Sequence, residues 1–443
     1  MPRVAVFNLS ETRRDPRVRR TAAALVAMGC AVTVYGVKRE SDIPREEMEG
    51  FALVRVDPPP SEEPGEMAAL ERFCPQAAAL LHRCDPEVVE GRRPPRGTFG
   101  YRLRRLGVGL QRRWHRLAGG PPVWDPYDVL GNLRWVLLTN LAMARAALQE
   151  GPDLVWCNDL DTLLCGFMLK ELRGLPLLYD AHEIFPEQLA PHQRSPIWHR
   201  FYTRLEQELI GRTDGRITVC DSLGEYFRQT YGAGEFLTLR NCPPRAQIVP
   251  EAVLARRNQP RLLLYHGNYF QHRGLDEVIR AARRVQGGRF LFRGFGPHEP
   301  ALRRLVEREG VGDRVHFLPP VPVDRLVAAA SECDVGLCPF VPSCLNTRYA
   351  LPNKFFEYMS AGLATASADL VEMRRLTQSH GLGVLFDPTD VEGLARQLND
   401  LLADPERLDG FRRQAWQSAV ETFHWEREEE RLREYLRPFL DGL

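Results

Sequence analysis

The chain has 443 residues, enough at about 100–200 residues per domain for two or three domains with large cores. Its 59 basic and 58 acidic residues leave a net charge of +1, so no global field draws it to nucleic acid. No run of 18 or more apolar residues occurs, and the opening MPRVAVFNLSETRRD lacks a signal-peptide core, so a cytoplasmic protein without a spanning helix is expected. The first 40 residues read strand, turn, helix, strand. PRVAVFNL is a short apolar strand. Asp15 is a helix cap with Pro16 in the first helical position, and the helix stops at Gly29 before AVTVYGV. A second such unit spans 153–181: strand DLVWCN, helix DTLLCGFMLKELR, strand LPLLYDA. A helix opened by Ser195-Pro196, a strand GRITVC, a helix from Ser222 and a short strand FLTL follow.

Residues 240–260 hold four prolines and break the rhythm. Alternation restarts at RLLLYHG (261–267) and continues through RFLFRG, RVHF, DVGLCPF and a helix at 353–361 to the strand LATAS, with helices expected from there to the end. Strands alternating with helices give parallel sheets covered on both faces. The expected division is a first domain over 1–242, a linker over 243–260 and a second domain over 261–424. The amphipathic helix 425–443 is expected to pack back on the first domain. Residues 58–131 fit neither rhythm and read as an insert, in which GRRPPRGTFGYRLRRLGVGLQRRWHRLAGG (91–120) carries nine arginines and no acid. The ten cysteines are scattered without a C-x-x-C pair, as free thiols of a reducing compartment are. No metal site is expected from them. Lys38, Lys170 and Lys354 are the only lysines.

Open α/β sheets bind ligands beyond the carboxyl ends of their strands, so the loops there carry the candidates. Two doubly wound domains facing each other would place both sets on one cleft. The loop 341–353 leads into the helix KFFEYMSAG, whose N-terminus at Asn353–Lys354 makes an anion site, with Glu357 one turn further in, able to accept two ribose hydroxyls. As an alternative, Lys354 and Glu357 are an ordinary surface pair. GNYFQHRGLDE (267–277) follows the first strand of the second domain, where Gly267 permits a tight exit and Arg273 could reach a diphosphate. Gly294, in GFGP, lets a ligand approach the backbone. Neither a dinucleotide fingerprint nor a P-loop is present. In the first domain, YDAHEIFPE sets His182 and Glu183 just past a strand end, and Asn158 and Asp159 end the neighbouring strand. A lone histidine there is otherwise a satisfied structural residue.

Together these segments resemble a GT-B glycosyltransferase of family 4, the retaining nucleotide-sugar enzymes. DPRVRRTAAALVAMGCAVTVY and PDLVWCNDLDTLLCGFMLKELRGLPLLYDAHE look like pieces of its first domain. YHGNYFQHRGLDEVIRA, RGFGP, RVHFLPPV and PNKFFEYMSAGLATAS follow in the family's order in the second. The resemblance covers nearly all of the chain outside 58–131. It implies two facing Rossmann-like α/β domains with a cleft between them. Glu357 matches the ribose-binding second glutamate of the E-x7-E signature. Arg273 stands where the family has a diphosphate-binding lysine. His182 matches the first-domain histidine near the donor sugar, and Phe317 and Leu318 lie where the nucleobase meets backbone groups. Asp15, Arg17, Asn158, Asp159 and Glu183 fall on the acceptor side. Two positions depart from the pattern: Tyr349 replaces the first signature glutamate, and Asn268 replaces the usual arginine. A branch of the family with a P-N-K-x-f-E-Y stretch matches here, and in it Asn353–Lys354 supply what Asn268 does not.

The implied activity is retaining transfer of a sugar from a nucleotide-diphosphate sugar, of UDP or GDP type, to a glycan, a lipid-linked acceptor or a small molecule. No carboxylate pair suits a glycosidase-type double displacement. The leaving diphosphate takes the acceptor's proton, and Arg273, Lys354 and the helix N-terminus stabilise it. No cofactor beyond the sugar nucleotide and no metal is implied. Two other readings are a non-catalytic GT-B partner subunit, for which Tyr349 leaves room, and a nucleotide-sugar 2-epimerase, which needs more acid and base groups than His182 and Glu183 offer. In the insert, Tyr101, Leu103, Leu106, Leu110, Trp114 and Leu117 lie among the arginines, the pattern of a helix lying on an anionic membrane. The arginines could instead pair with acids in 61–71 or line a groove for an anionic glycan. At about 1 kcal/mol per engaged basic residue, five arginines would localise the enzyme peripherally. Phosphatidylglycerol vesicles at low salt should therefore carry the wild type in flotation. The carriage should vanish when Arg102, Arg104, Arg105, Arg112 and Arg113 become serine, and equal flotation of the two proteins counts against membrane contact.

Overall fold

The structure, a computed structural model, describes residues 1–39, 42–57, 66–90, 108 and 124–442. Most of the arginine-rich stretch 91–120, with the residues of the vesicle experiment, lies outside the described residues. The chain forms two compact units. The first comprises Met1–Val219, Leu223–Thr238 and Arg433–Leu443, and the second Cys220–Ser222 and Leu239–Leu432.

The first unit is built on the strands β1 (Arg3–Phe7), β2 (Ala31–Val37), β3 (Arg45–Met48), β4 (Phe51–Val56), β5 (Leu154–Asn158), β6 (Leu177–Ala181), β7 (Gly215–Thr218) and β8 (Leu237–Thr238). Their order in the eight-stranded sheet is β3-β4-β2-β1-β5-β6-β7-β8. Every pairing is parallel except β3 with β4. All residues of β5 and β6 are buried, as a sheet covered on both faces requires. The sheet order reverses at β1, which pairs with β2 on one side and β5 on the other. Helix Pro16–Ala27 starts as expected, the Asp15 carboxylate accepting the amides of Arg17 at 3.0 Å and Val18 at 3.2 Å.

Strands β3 and β4 were not anticipated. REEM has no apolar alternation, and its antiparallel pairing with β4 comes from the tight Glu49–Gly50 turn, where both residues have positive φ. The region read as an insert is helical where described: Glu66–Phe73, Pro75–Cys84 and Pro86–Glu90 precede the long helix Pro126–Glu150.

The second unit has the strands β9 (Arg261–Asn268), β10 (Gly288–Phe295), β11 (Val315–Leu318), β12 (Val335–Cys338), β13 (Ala364–Ala368) and β14 (Gly383–Phe386). They form an all-parallel sheet in the order β11-β10-β9-β12-β13-β14, reversing at β9. Strand β14 corrects the expectation of helices alone after LATAS. Its four residues follow the αL glycine that ends helix Val371–His380, and so short a run carries no readable period. The proline-rich stretch 240–260 lies within this unit. Val249 donates its amide to the Ser360 carbonyl at 3.0 Å, and its own carbonyl accepts the Trp416 indole N–H at 2.8 Å. All ten cysteines are free and buried, and burial pushes the Cys157 and Cys338 thiols up to about 12. Among the described residues no helix is long and apolar enough to cross a membrane.

Helix Trp425–Leu440 closes the chain, and its residues from Arg433 onward belong to the first unit. Tyr435 fixes them there. Its hydroxyl accepts the Arg216 amide at 2.6 Å and donates to the Arg216 carbonyl at 3.1 Å. Gly215 makes the approach possible, since a Cβ there would stand 3.0 Å from that hydroxyl and 2.3 Å from Leu178. Tyr435→Phe should cost about 1–3 kcal/mol by leaving a half-buried amide without its acceptor. Faster native-state hydrogen exchange at Arg216 is the expected reading; unchanged protection would mean that the hydroxyl holds nothing.

Candidate functional site

Both sheet reversals coincide with the candidate residues, one group in each unit. In the first unit the loop after β1 is internally bonded: Ser10 Oγ donates to Asp15 Oδ2 at 2.9 Å, so Asp15 serves the loop as well as the helix. Arg17 points inward and is buried. Its guanidinium holds Asp180 on β6 in a two-pronged pair, Nε to Oδ2 at 3.0 Å and Nη2 to Oδ1 at 2.7 Å. Asp180 is fully buried. Burial opposes its ionisation, but Arg17 and His182 outweigh that and hold the carboxyl well below its ordinary range.

His182 is thus not a lone histidine. Its Nδ1 lies 3.2 Å from Asp159 Oδ2 and its Nε2 lies 3.3 Å from Asp180 Oδ2. Burial alone would lower its pKa, but the two carboxylates raise it well above the ordinary value. An imidazolium at neutral pH is a proton donor and a positive charge, not a base. The Nε2 contact with Asp180 is electrostatic, and this nitrogen has no well-formed hydrogen bond among the described residues. Asp159 also accepts the His182 amide at 2.9 Å and is held at φ 59, a conformation costly for a residue with a side chain. Such strain gathers at functional sites. Asn158 donates to the Phe7 carbonyl at 2.9 Å, and its side-chain oxygen is buried with no hydrogen-bond partner among the described residues. Glu183 accepts from Gln188. Sequence reading passed over Asp180. The D-x-H spacing was the available signal, because residues two apart on an extended chain share a face.

In the second unit the end of β9 meets helix Asn353–Ser360. Pro352, at the cap position, has no side-chain donor or acceptor to cap the first turn of that helix; Phe355 donates its amide to the Pro352 carbonyl at 3.0 Å, and the amides ahead of it have no partner within the helix. Lys354 does not stand out in solvent, as a surface charge would. Its Nζ sits 4.7 Å from the centre of the Tyr265 ring and 4.8 Å from that of Phe340. The Arg273 guanidinium lies 4.8 Å from the same Phe340 ring. Burial, and then the nearby Arg273 charge, lower the Lys354 ammonium to about 8 against the pull of Cys338 and Glu357. Two half-buried cations are therefore gathered on aromatic faces, a place that favours an anion.

Glu357 lies one turn along, its Oε2 2.7 Å from His266 Nε2. Gly267 and Gly294 are paired in register, and a Cβ on Gly294 would stand 1.9 Å from the Gly267 carbonyl oxygen, so the backbone is bare at this edge. The Asn268 carbonyl accepts the Tyr265 hydroxyl at 2.9 Å. Phe317 and Leu318 end β11, two strands away. The Phe317 ring is taken up by Phe292, Tyr269 and the Arg303 guanidinium, which leaves backbone groups for a ligand. Tyr349 follows the short helix Leu345–Arg348, and its carbonyl receives the Cys220 thiol at 3.8 Å. Arg273, Lys354, Gly267 and Glu357 thus come together around β9. Tyr265, His266 and Phe340, which complete the group, were missed: as aromatic residues in apolar strands they look like core. Among the described residues no group of three or more His, Cys, Asp or Glu could hold a metal ion.

Two family descriptions match the chain: "Glycosyl transferases group 1" over residues 260–404 and "Glycosyltransferase Family 4" over residues 107–237. The chain belongs to the family 4 glycosyltransferases of the GT-B fold. Among known proteins, it is 22 % identical over 283 residues to the GDP-mannose:cellobiosyl-diphosphopolyprenol alpha-mannosyltransferase of Xanthomonas oryzae pv. oryzae, covering 62 % of this chain and 71 % of that one. It is 24 % identical over 321 residues to a glycogen synthase of Mycobacterium tuberculosis, covering 68 % and 75 %. Among solved structures, the sucrose-phosphate synthase of Thermosynechococcus elongatus aligns over 100 % of both chains with a TM-score of 0.71 at 16 % identity. HepE of Anabaena, solved with UDP, aligns over 99 % of this chain and 100 % of its own with a TM-score of 0.63 at 14 % identity.

The state of Lys354 in this glycosyltransferase has a measurable consequence. Its folded pKa, about 8, lies below its ordinary 10.5. Folding is therefore penalised in full below pH 8, and the penalty is relieved as pH rises from there through 10.5. Lys354→Met should raise stability at pH 7 by about 1–3 kcal/mol, the scale of a shift of this size discounted for partial solvation. Denaturation of both proteins across that range should show the advantage shrinking to nothing. An advantage that is absent at pH 7, or constant with pH, contradicts the burial account.

Proposed function

We propose that this glycosyltransferase moves a sugar from a nucleotide-diphosphate sugar, of UDP or GDP type, to a glycan, lipid-linked or small-molecule acceptor, with retention at the anomeric carbon. The observation that carries the donor reading is the convergence of Arg273 and Lys354 on the Phe340 ring beside the bare turn of helix Asn353–Ser360. Two cations and a helix N-terminus suit a diphosphate and can neutralise it without a metal. Glu357, with Asn353 ahead of it, takes the ribose side, and the backbone of Gly267, Asn268, Gly294, Phe317 and Leu318 frames the nucleotide. HepE binds UDP, and the Xanthomonas relative is named for GDP-mannose, which supports a pyrophosphate-linked donor of either base. That relative's acceptor is lipid-linked by name, which supports the same class here.

In the reaction proposed, the bond from the anomeric carbon to the diphosphate oxygen breaks. The acceptor oxygen bonds to that carbon on the same face, and its proton passes to the departing diphosphate. Arg273 and Lys354 stabilise the negative charge as it develops. His182, held as an imidazolium, donates to an oxygen of the sugar and takes no proton. On the acceptor side, Arg17, Asp15 and Asp159 keep that histidine and its loop in place, with Asn158 and Glu183 at the edge. The setting we propose is the cytoplasm, where ten free thiols are stable, with the arginine-rich stretch on an anionic membrane.

A thermal-shift screen of UDP, GDP and ADP identifies the base, since ligand at a hundred times Kd stabilises by about 2.7 kcal/mol. Glu357→Gln should then weaken nucleotide binding by about 1.5–3 kcal/mol, the worth of a hydrogen bond to a charged group. Proton NMR of the product from the matching sugar nucleotide should show the donor's anomeric configuration preserved. Inversion refutes the mechanism, and nucleotide binding without turnover on any acceptor or water favours a partner subunit.

A further inference from the structure

We propose that His266 is a positioning residue that presets the Glu357 carboxylate for the ribose of the donor. The proposal rests on the reading above that Glu357 takes the ribose. His266 stands at the end of β9, next to the point where the sheet order reverses, and is 2 % exposed. The position belongs to a run of buried residues, Leu263, Leu264 and Tyr265, where an aliphatic side chain would pack without a polar atom to satisfy. Instead the ring carries two nitrogens. Nδ1 is buried with no hydrogen-bond partner among the described residues. Nε2 lies 2.7 Å from Glu357 Oε2. A carboxylate can only accept, so Nε2 carries the proton and donates. Burying an imidazole with one nitrogen unsatisfied is a cost, and the bond made by the other nitrogen is what offsets it.

Further contacts tie this end of the strand to the same helix. The His266 amide donates to the Tyr358 hydroxyl at 3.0 Å. The imidazole lies 4.7 Å from the Tyr358 ring, tilted by 38°. The neighbouring Gly267 brings the strand within 3.4 Å of Lys354, measured from where its Cβ would be. Strand and helix are thus joined over one turn, with His266 held beside Glu357. A glutamate left to change rotamer has to be ordered on binding, which weakens affinity. With Oε2 already held, the carboxylate is aimed before the nucleotide arrives.

A merely structural histidine would affect every nucleotide alike; a positioning one affects only those with ribose hydroxyls. Calorimetry with UDP, or GDP if the chain takes guanine, is compared with the 2′,3′-dideoxynucleoside diphosphate of the same base. The wild type should prefer the ribose form by about tenfold or more, the factor of one good hydrogen bond. His266→Phe keeps the ring on Tyr358 and removes the donor. It should bind the dideoxy form as the wild type does and lose most of the preference. His266→Gln restores an amide donor of similar reach and should recover part of it. His266→Met serves with Gln as the donor-free partner should the Phe variant fail to fold. An unchanged preference in the Phe or Met variant overturns the proposal while leaving Glu357 on the ribose. Equal weakening of both ligands, or no recovery with Gln, overturns it in favour of a packing role. A wild type without preference overturns the Glu357 reading itself, and the proposal with it.

Discussion

The desolvation of one ammonium organises the second unit. Lys354 enters the sheet edge between two aromatic rings, where its charge is poorly solvated and crowded by Arg273. The two rings, Cys338 and Glu357 favour the ammonium, but burial outweighs them, and a methionine would fill the same space with no charge to bury. The surrounding structure has to supply the difference, through the wholly parallel sheet, the locked contact of β9 with helix Asn353–Ser360, and the aromatic faces. A diphosphate would return the missing solvation. The same burial that weakens the fold at neutral pH therefore favours an anion beside Lys354.

The first unit solves the opposite problem with a chain of charges whose inner pair, Arg17 and Asp180, is fully buried and whose outer pair, His182 and Asp159, is partly exposed. Arg17, Asp180, His182 and Asp159 alternate in sign, so each buried group meets a partner. Removing one member leaves its neighbour unpaired in a low-dielectric interior, at a typical cost of about 3–5 kcal/mol. The outcome for the histidine is a fixed charge rather than a titrating switch. A residue that reads in the sequence as an acid–base candidate is here an electrostatic one.

Much of this was legible from the residues because alternating strands and helices report on local periods. The Asp15-Pro16 helix start, the helix at 353 and the ends of β5, β6 and β9 all fell where capping and alternation put them. Arg273, Lys354 and Glu357 were found because charged residues at strand ends stand out against an apolar background. Tyr265, His266, Phe340 and Asp180 did not stand out. Their meaning depends on which partner faces them across the sheet, and no local pattern encodes that. Strands β3 and β14 were lost for a related reason: each is four residues long, and pairing rather than propensity makes it a strand. Why the chain carries tyrosine at 349 in place of the family's glutamate has no account in the contacts seen.

The buried thiols have a use unconnected with catalysis. Cys30, Cys74, Cys84, Cys157 and Cys165 lie in the first unit, and the remaining five in the second. Burial keeps each from solvent, and thiols pushed up to about 12, such as Cys157 and Cys338, hold little of the reactive thiolate at neutral pH. An alkylating reagent therefore reaches a given cysteine only when the segment over it opens. The order in which the ten become modified is a map of local opening free energies, written by the chain without any introduced probe, and it can be read separately for each unit.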